Sequence, residues 1–326
     1  MKKFVMVDSH TLKGTDFSPE LNLLSENGIE CVLAECKTDE EIINAVKDAD
    51  AIGLNYSHIT KDIILKMQNC KAIIRYGIGF DTVDVEAATE RGIAVCNLPD
   101  YCVDEVATHA MALILDTCRK TTFFDKSVRA GLWDSNYGYK MHRLSALTLG
   151  LIGFGNTARL LSHYAKSFDM NIISYDPYAP DNLFEQYGVT SVSLEKLYKE
   201  SDIISIHVPL TDETKHLINK DTIEKMKDGV IIINTSRGPI ISIDDLLEAL
   251  KNKKVCAAGL DVVEIEPIKD PNCRIYNYEN LVVTPHAAYN SVEASNNQHM
   301  KVAKTAVQVL NGEMPYNVVN IKKLSK

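Results

Sequence analysis

Gly153-Phe154-Gly155-Asn156-Thr157-Ala158 has the spacing Gly-x-Gly-x-x-Ala. That spacing suits a turn wrapped around a pyrophosphate. The first glycine permits the tight turn, the second lets backbone approach the anion, and a small third residue lets helix and strand pack closely. The N–H groups of the helix that follows then face the negative charge. Asp176 comes about 20 residues later, where a carboxylate accepts from a ribose 2′-hydroxyl and repels a 2′-phosphate. Together these residues predict a dinucleotide site that takes NAD rather than NADP. Taken alone, the glycine turn also has a purely structural reading, and Asp176 before Pro177 also reads as a turn acid.

Open α/β sheets bind ligands outside the carboxyl ends of their strands. The strand ends of the second half carry Asp176, His207-Val208-Pro209, Thr235-Ser236-Arg237-Gly238, Asp261 with Glu264 and Glu266, and Pro285-His286. Arg237, Glu266 and His286 form a set able to clamp an anion, orient an imidazole and donate a proton. Singly, each has a plainer reading: an arginine paired with surface acids, a solvated loop acid and a satisfied structural histidine. Gly77-Ile78-Gly79, also after a predicted strand, either holds a carboxylate as a nest does or is a plain turn. No His-Glu-x-x-His and no Cys-x-x-Cys pattern occurs, so no metal is expected.

Such residues need elements to place them. In the first hundred residues, β-rich runs at 4–8, 30–34, 51–54, 72–75 and 93–96 alternate with helical stretches at 19–27, 39–47, 61–67 and 83–90. A second series has strands at 147–152, 171–175, 202–208, 230–235, 255–260 and 281–284, with helices at 156–168, 194–200, 218–226 and 243–252. Alternation of this kind implies βαβ units and parallel sheets. Between the series, a helix over 103–120 is apolar on nearly every face, so it is expected to be buried on most sides and to cross from the first domain into the second. A last helix over 291–310, stopped by Asn311-Gly312, is expected to pack back on the first domain.

A length of 326 residues suits two domains. Apolar residues make up 45% and charged residues 24%, which excludes a disordered or collagen-like chain. The net charge of −9, with acids and bases mixed, leaves no footprint for nucleic acid. The basic tail of Lys322, Lys323 and Lys326 reads as a solvated end. The apolar stretch 103–118 contains Asp104, Glu105 and Asp116, too polar to span a membrane. The N-terminus reaches Asp8 before a signal segment can form, and the eight cysteines read as reduced, buried thiols. A cytoplasmic location is therefore expected.

Eight blocks, in order, resemble the D-isomer-specific 2-hydroxyacid dehydrogenases over nearly the whole chain. They are Arg75-Tyr-Gly-Ile-Gly-Phe-Asp81 with Val83-Asp84, Asp104-Glu-Val-Ala-Thr-His-Ala110, Gly153-Phe-Gly155, Tyr175-Asp176-Pro177, His207-Val-Pro-Leu-Thr211, Asn234-Thr-Ser-Arg-Gly238, Gly259-Leu-Asp-Val262 with Glu266-Pro267, and Thr284-Pro-His286. The resemblance implies an α/β protein of two domains. A flavodoxin-like substrate domain would be built from both chain ends, 1–100 and 290–326, and a Rossmann-type doubly wound domain for NAD from 101–289. It implies hydride transfer between NAD(H) and C2 of a 2-oxo or D-2-hydroxy acid. Arg237 would bind the substrate carboxylate and polarise the carbonyl, His286 would be the general acid/base, and Glu266 would support its charged form. Backbone at Gly77, Ile78 and Gly79 would hold the carboxylate, beside Tyr76. Asn156 and Thr157 would contact the pyrophosphate, while Val208, Pro209, Thr235, Ser236 and Asp261 would line the nucleotide, Asp261 near the nicotinamide amide. A homodimer through the NAD domain is implied, with an arm over 123–133.

The chain also departs from that pattern. Thr108 stands where an acid is common, and Ala287-Ala288-Tyr289-Asn290 lacks the Gly-Gly of phosphoglycerate dehydrogenases. With no regulatory domain expected after residue 326, a serine-pathway role is weakened. Two alternatives stay open: an NAD-sensing scaffold like the C-terminal binding proteins, and a dehydrogenase of phosphorylated hydroxy acids. Tyr76, Tyr101, Tyr289 and Trp133 are candidates for the substrate pocket.

Overall fold

The computed structural model describes residues 1–12 and 14–324. Lys326 of the basic tail lies outside the described residues, while Lys322 and Lys323 are exposed on the short helix Ile321–Leu324. The chain divides into two compact units, Met1–Tyr101 with Ser291–Lys326 and Cys102–Asn290.

The first unit is built on a five-stranded sheet. Its strands are β1 (Lys2–Met6), β2 (Ile29–Leu33), β3 (Ala51–Leu54), β4 (Ala72–Arg75) and β5 (Ala94–Cys96), all parallel, in the order β2-β1-β3-β4-β5. That is the flavodoxin-like order. Strands β3, β4 and β5 are buried throughout, as parallel strands covered on both faces must be. Helices Asp39–Val46, Lys61–Lys66 and Val85–Glu90 close one face over Val5, Ile52, Ile73 and Val95. Helices Ser18–Glu26 and Val292–Leu310 pack on each other, the latter also on β4. The last helix thus belongs to the first unit, as expected.

Seven parallel strands form the sheet of the second unit. They are β6 (Thr148–Ile152), β7 (Asn171–Tyr175), β8 (Thr190–Ser191), β9 (Ile203–Ile206), β10 (Val230–Asn234), β11 (Val255–Leu260) and β12 (Leu281–Val283), in the order β12-β11-β10-β9-β6-β7-β8. This is the doubly wound dinucleotide-binding order extended by one strand, with its switch point between β6 and β9. One core lies on each face, around Ile204, Ile232 and Leu246 on one side and Leu149, Ile233 and Ile114 on the other.

Some elements differ from expectation. Helix Val103–Arg119 does not cross between units: it lies wholly in the second, packed on helix Asn156–Lys166 and on β10 and β11. Nor is it buried all round, because Asp104, Thr108, Ala112 and Arg119 make an exposed stripe. It stops where Lys120 turns left-handed at φ 58°, and a second helix, Thr121–Arg129, starts there unforeseen. Helix Asp181–Tyr187 was also unforeseen, being too short for its period to show. All eight cysteines are free, but only Cys36, Cys96, Cys102 and Cys118 are buried. Among the described residues no helix is long and apolar enough to cross a membrane.

Candidate active site

In the second unit, the glycine turn leaves β6 between β7 and β9. Gly153 has φ 92°, and a Cβ there would lie 2.7 Å from the His207 carbonyl oxygen. Both facts demand glycine. Gly155 differs: a Cβ would meet nothing within 4 Å, so open space lies over the turn where a pyrophosphate would approach. Helix Asn156–Lys166 starts without a side-chain cap, which leaves the N–H groups of its first turn for an anion. Ala158 is fully buried. The Asn156 side chain accepts from the Arg159 guanidinium, which leaves its main chain as the part that could face an anion.

Asp176 follows β7 and sits against that turn. Its Oδ2 accepts from Phe154 N–H at 2.8 Å and its Oδ1 from Tyr178 N–H at 2.9 Å. A carboxylate offers about four acceptor sites, so two remain for ribose hydroxyls. Beyond β9, Ser205 Oγ meets His207 Nε2 at 2.8 Å, and burial pushes the His207 imidazole down to about 4. Val208 is half-buried and its carbonyl accepts from the Ser236 hydroxyl; Pro209 is exposed. After β10, the Thr235 hydroxyl is buried with no partner among the described residues, as a group awaiting a ligand would be. An open glycine turn, an uncapped helix and this orphan hydroxyl together fit a dinucleotide.

Arg237 and Gly238 follow on the same strand end. Asn234 ties this segment down, its Oδ1 accepting from Ser236 N–H and its Nδ2 donating to the Arg237 carbonyl, both at 2.9 Å. Arg237 is half-buried, and its Nη1 donates to the Ser236 carbonyl at 2.8 Å. Gly238 packs so closely that a Cβ would lie 1.9 Å from the Val263 carbonyl oxygen. Val263 N–H in turn donates to Glu266 Oε1 at 2.8 Å.

Glu266 and His286 touch. His286 Nδ1 meets Glu266 Oε2 at 2.6 Å. Because the carboxylate accepts from Nδ1–H, Glu266 fixes the tautomer and the orientation of the ring. His286 sits in the left-handed region at φ 53°, an arrangement that costs about 1–3 kcal/mol unless its surroundings impose it. Asp261, at the end of β11, does so. Its carbonyl accepts from His286 N–H at 2.8 Å, its Oδ1 from Thr284 Oγ1 at 2.5 Å and Ala287 N–H at 2.9 Å, and its Oδ2 from Ala288 N–H at 2.9 Å. This carboxylate is 1% exposed. It brackets the loop that carries His286. His109, which the sequence gave no reason to single out, closes the network: its Nε2 is 2.9 Å from Thr284 Oγ1 and 3.5 Å from Asp261 Oδ1. The only hint was its place in the Asp104–Ala110 block.

In the first unit, the turn after β4 is held from below. Gly77 N–H is already spent on the Arg75 carbonyl at 2.8 Å, contrary to its expected part in binding a carboxylate. A Cβ at Gly77 would lie 1.2 Å from Arg75 Nη1. Among the described residues, the N–H groups of Ile78 and Gly79 have no partner, and both residues are half-buried. The Tyr76 ring does not line a pocket. It is fully buried and its hydroxyl donates to Glu20, so only its main chain could face a ligand. Tyr101 is buried as well. In the second unit, the half-exposed ring of Tyr289 stands 6.4 Å from that of His286, and Trp133 is 89% exposed.

Residues 111–288 match the family model for the NAD binding domain of D-isomer specific 2-hydroxyacid dehydrogenases. The chain belongs to this family. It is 40% identical over 306 residues to a D-3-phosphoglycerate dehydrogenase of Methanocaldococcus jannaschii, covering 93% of this chain and 58% of that one. A second such dehydrogenase, from Archaeoglobus fulgidus, is also covered over only 58% of its length. A hydroxypyruvate reductase of Blautia hydrogenotrophica is 35% identical over 331 residues, covering 98% of this chain and 99% of the relative. Among solved structures, a D-lactate dehydrogenase from Aquifex aeolicus with NAD and lactic acid superposes with TM-score 0.84 at 27% identity, covering 100% of this chain and 98% of that one.

Proposed function

We propose that this chain is an NAD-dependent oxidoreductase that interconverts a 2-oxo acid and the D-2-hydroxy acid. The observation that carries the reading is the 2.6 Å His286–Glu266 bond on the same sheet edge as the open glycine turn. When bound, NAD(H) supplies the hydride acceptor or donor. The main chain at Gly155, Asn156 and Thr157 holds its pyrophosphate and Asp176 its ribose, while Val208, Pro209, Thr235 and Ser236 line it.

In reduction, His286 Nε2 gives its proton to the C2 oxygen as that carbon gains hydride; in oxidation it takes the proton back. Glu266 stays a carboxylate, accepts from Nδ1–H and balances the imidazolium charge. A positioned acid of this kind contributes about 10²–10⁴-fold. Arg237 holds the substrate carboxylate and polarises the carbonyl. The first unit is the substrate domain, and within it the Ile78 and Gly79 N–H groups are donors suited to a carboxylate. Free cysteines throughout suit a cytoplasmic location. The exposed Val128, Leu132 and Trp133 suit a homodimer through the NAD domain.

Steady-state oxidation of NADH and NADPH with glyoxylate, hydroxypyruvate, pyruvate, longer 2-oxo acids and a phosphorylated 2-oxo acid tests the reaction and selects the substrate. Arg237→Ala and His286→Ala test the roles. Turnover unchanged in either variant removes that residue from the mechanism, and NADH binding without turnover of any 2-oxo acid leaves the scaffold.

A further inference from the structure

The first unit buries an acid that the proposed chemistry does not use. Glu20, in the first turn of helix Ser18–Glu26, has no exposed surface. A carboxylate so placed must have its oxygens hydrogen-bonded. Oε1 accepts from the Tyr76 hydroxyl, and Oε2 accepts from His299 Nδ1 at 2.6 Å. His299 comes from helix Val292–Leu310 and is 2% exposed. Its ring meets Phe17 edge-on at 4.8 Å and Tyr76 at 5.7 Å between centroids. Its Nε2 is buried without a partner, and the Nδ1–H tautomer leaves only a lone pair there.

Tyr76 is gripped at its main chain too. Its N–H donates to the Leu54 carbonyl at 2.8 Å, and its carbonyl accepts from Gln298 Nε2 at 2.8 Å and Arg75 Nη1 at 3.0 Å. Gln298 and His299 are consecutive on one helix, so that helix fixes the Tyr76 carbonyl directly and the Tyr76 hydroxyl through Glu20. Room for the ring exists because residue 53 is glycine: a Cβ would lie 2.7 Å from both the Phe4 and Tyr76 rings. The next three residues are Gly77-Ile78-Gly79, whose last two N–H groups have no partner among the described residues. An apolar trio could fill the same space without desolvating a carboxylate. What the polar trio adds is direction.

We propose that Glu20 and His299 are positioning residues. Through Tyr76 they fix where the Ile78 and Gly79 N–H groups point, and so set how tightly the carboxylate of the 2-oxo acid is held. The identity of that ligand rests on the proposed reaction; the tether itself does not.

Three variants of the whole chain test it. Tyr76→Phe removes one hydroxyl and keeps the ring, His299→Leu removes the donor, and His299→Asn returns a donor near the place of Nδ1. Two readouts are taken: amide hydrogen exchange of a peptide spanning 72–82, and steady-state kinetics with the best 2-oxo acid. In Tyr76→Phe and His299→Leu, the Tyr76 and Gly77 amides should exchange about tenfold faster and KM should rise about tenfold, as loss of roughly one hydrogen bond gives. The value of kcat and the Kd for NADH, whose site is in the second unit, should stay within about twofold. His299→Asn should lie near wild type. Unchanged exchange and KM overturn the proposal. A joint shift of KM, kcat and NADH Kd with falling Tm also overturns it, because that is general loss of structure. If the wild type turns over no 2-oxo acid, the proposed reaction fails, and exchange at 76–77 alone decides the tether.

Discussion

Asp261→Asn separates two roles for one carboxylate, lining the nucleotide and holding the loop that carries His286. The native oxygens accept from Thr284 Oγ1, Ala287 N–H and Ala288 N–H. A carboxamide must turn its NH₂ toward one side. The better orientation keeps the carbonyl on Thr284 and Ala287 and leaves the Ala288 N–H facing another donor. Ala288 is buried, so that lost bond costs about 1–3 kcal/mol, and the two that remain lose the help of a full charge. About 2–5 kcal/mol then disappears from the bracket around a histidine held in a left-handed conformation. The loop relaxes and the acid drifts from the ketone oxygen. Expected is a fall in kcat of about 10²-fold, within the 10²–10⁴ that a positioned acid supplies. Fluorescence titration should show an NADH Kd within about threefold of wild type, since no nucleotide contact is removed. A kcat near wild type with NADH bound about tenfold more weakly would refute the bracket and return Asp261 to the nucleotide.

Gly153→Ala places a methyl 2.7 Å from the His207 carbonyl oxygen at a positive φ; NADH affinity should fall at least about 100-fold and Tm should drop, read by fluorescence titration and thermal melting. His207 is held at about 4 by burial against an ordinary 6.5, so the unfolded chain binds more protons between these values. Its share of stability is therefore complete above pH 6.5 and declines as pH falls toward 4, by about 1–2 kcal/mol at pH 5. His207→Gln should remove that slope in urea unfolding at pH 5 and 7, and an unchanged slope would assign it to other groups. Trp133 is 89% exposed beside the exposed Leu132 and Val128; Trp133→Glu should convert a dimer to a monomer in sedimentation velocity, and a wild-type monomer would dismiss the arm.

Which parts were legible follows from the range of the interactions. Parallel strands buried on both faces announce themselves as short apolar runs, and Ala51–Leu54, Ala72–Arg75, Asn171–Tyr175 and Val255–Leu260 fall on their predicted residues. The glycine turn is equally local, since positive φ and close approach are written in the residue type. The Glu266–His286 bond joins residues 20 apart, and strand-end placement was enough to pair them. Illegible were partners set by packing across long separations. Tyr76 looked like a pocket residue because of its aromatic ring. Its hydroxyl goes inward only because Glu20 and Gly53, from other elements, make a place for it. The helix over 103–119 looked apolar all round because Ala107 and Ala112 are alike in sequence, and only the sheet decides which one faces it.

Acids at strand ends were the subtlest case. Asp8 after β1, Asp176 after β7 and Asp261 after β11 each accept backbone N–H groups from the loop of the adjacent strand: Asn55, Tyr56 and Ser57; Phe154; and Ala287 with Ala288. The cause is general. Where parallel strands end, their loops lose ladder partners, and a buried N–H must find another acceptor. Aspartate, one methylene from the backbone, reaches across a strand spacing of about 4.8 Å. A strand-end acid is therefore a tether first and a chemical group second. Counting lone pairs separates the two. Asp8 and Asp261 have three of about four acceptor sites filled and are each 1% exposed. Asp176 has two filled and is half-buried. Of the three, Asp176 alone retains both the free acceptors and the exposure to receive two ribose hydroxyls, while Asp8 and Asp261 hold still the loops around them.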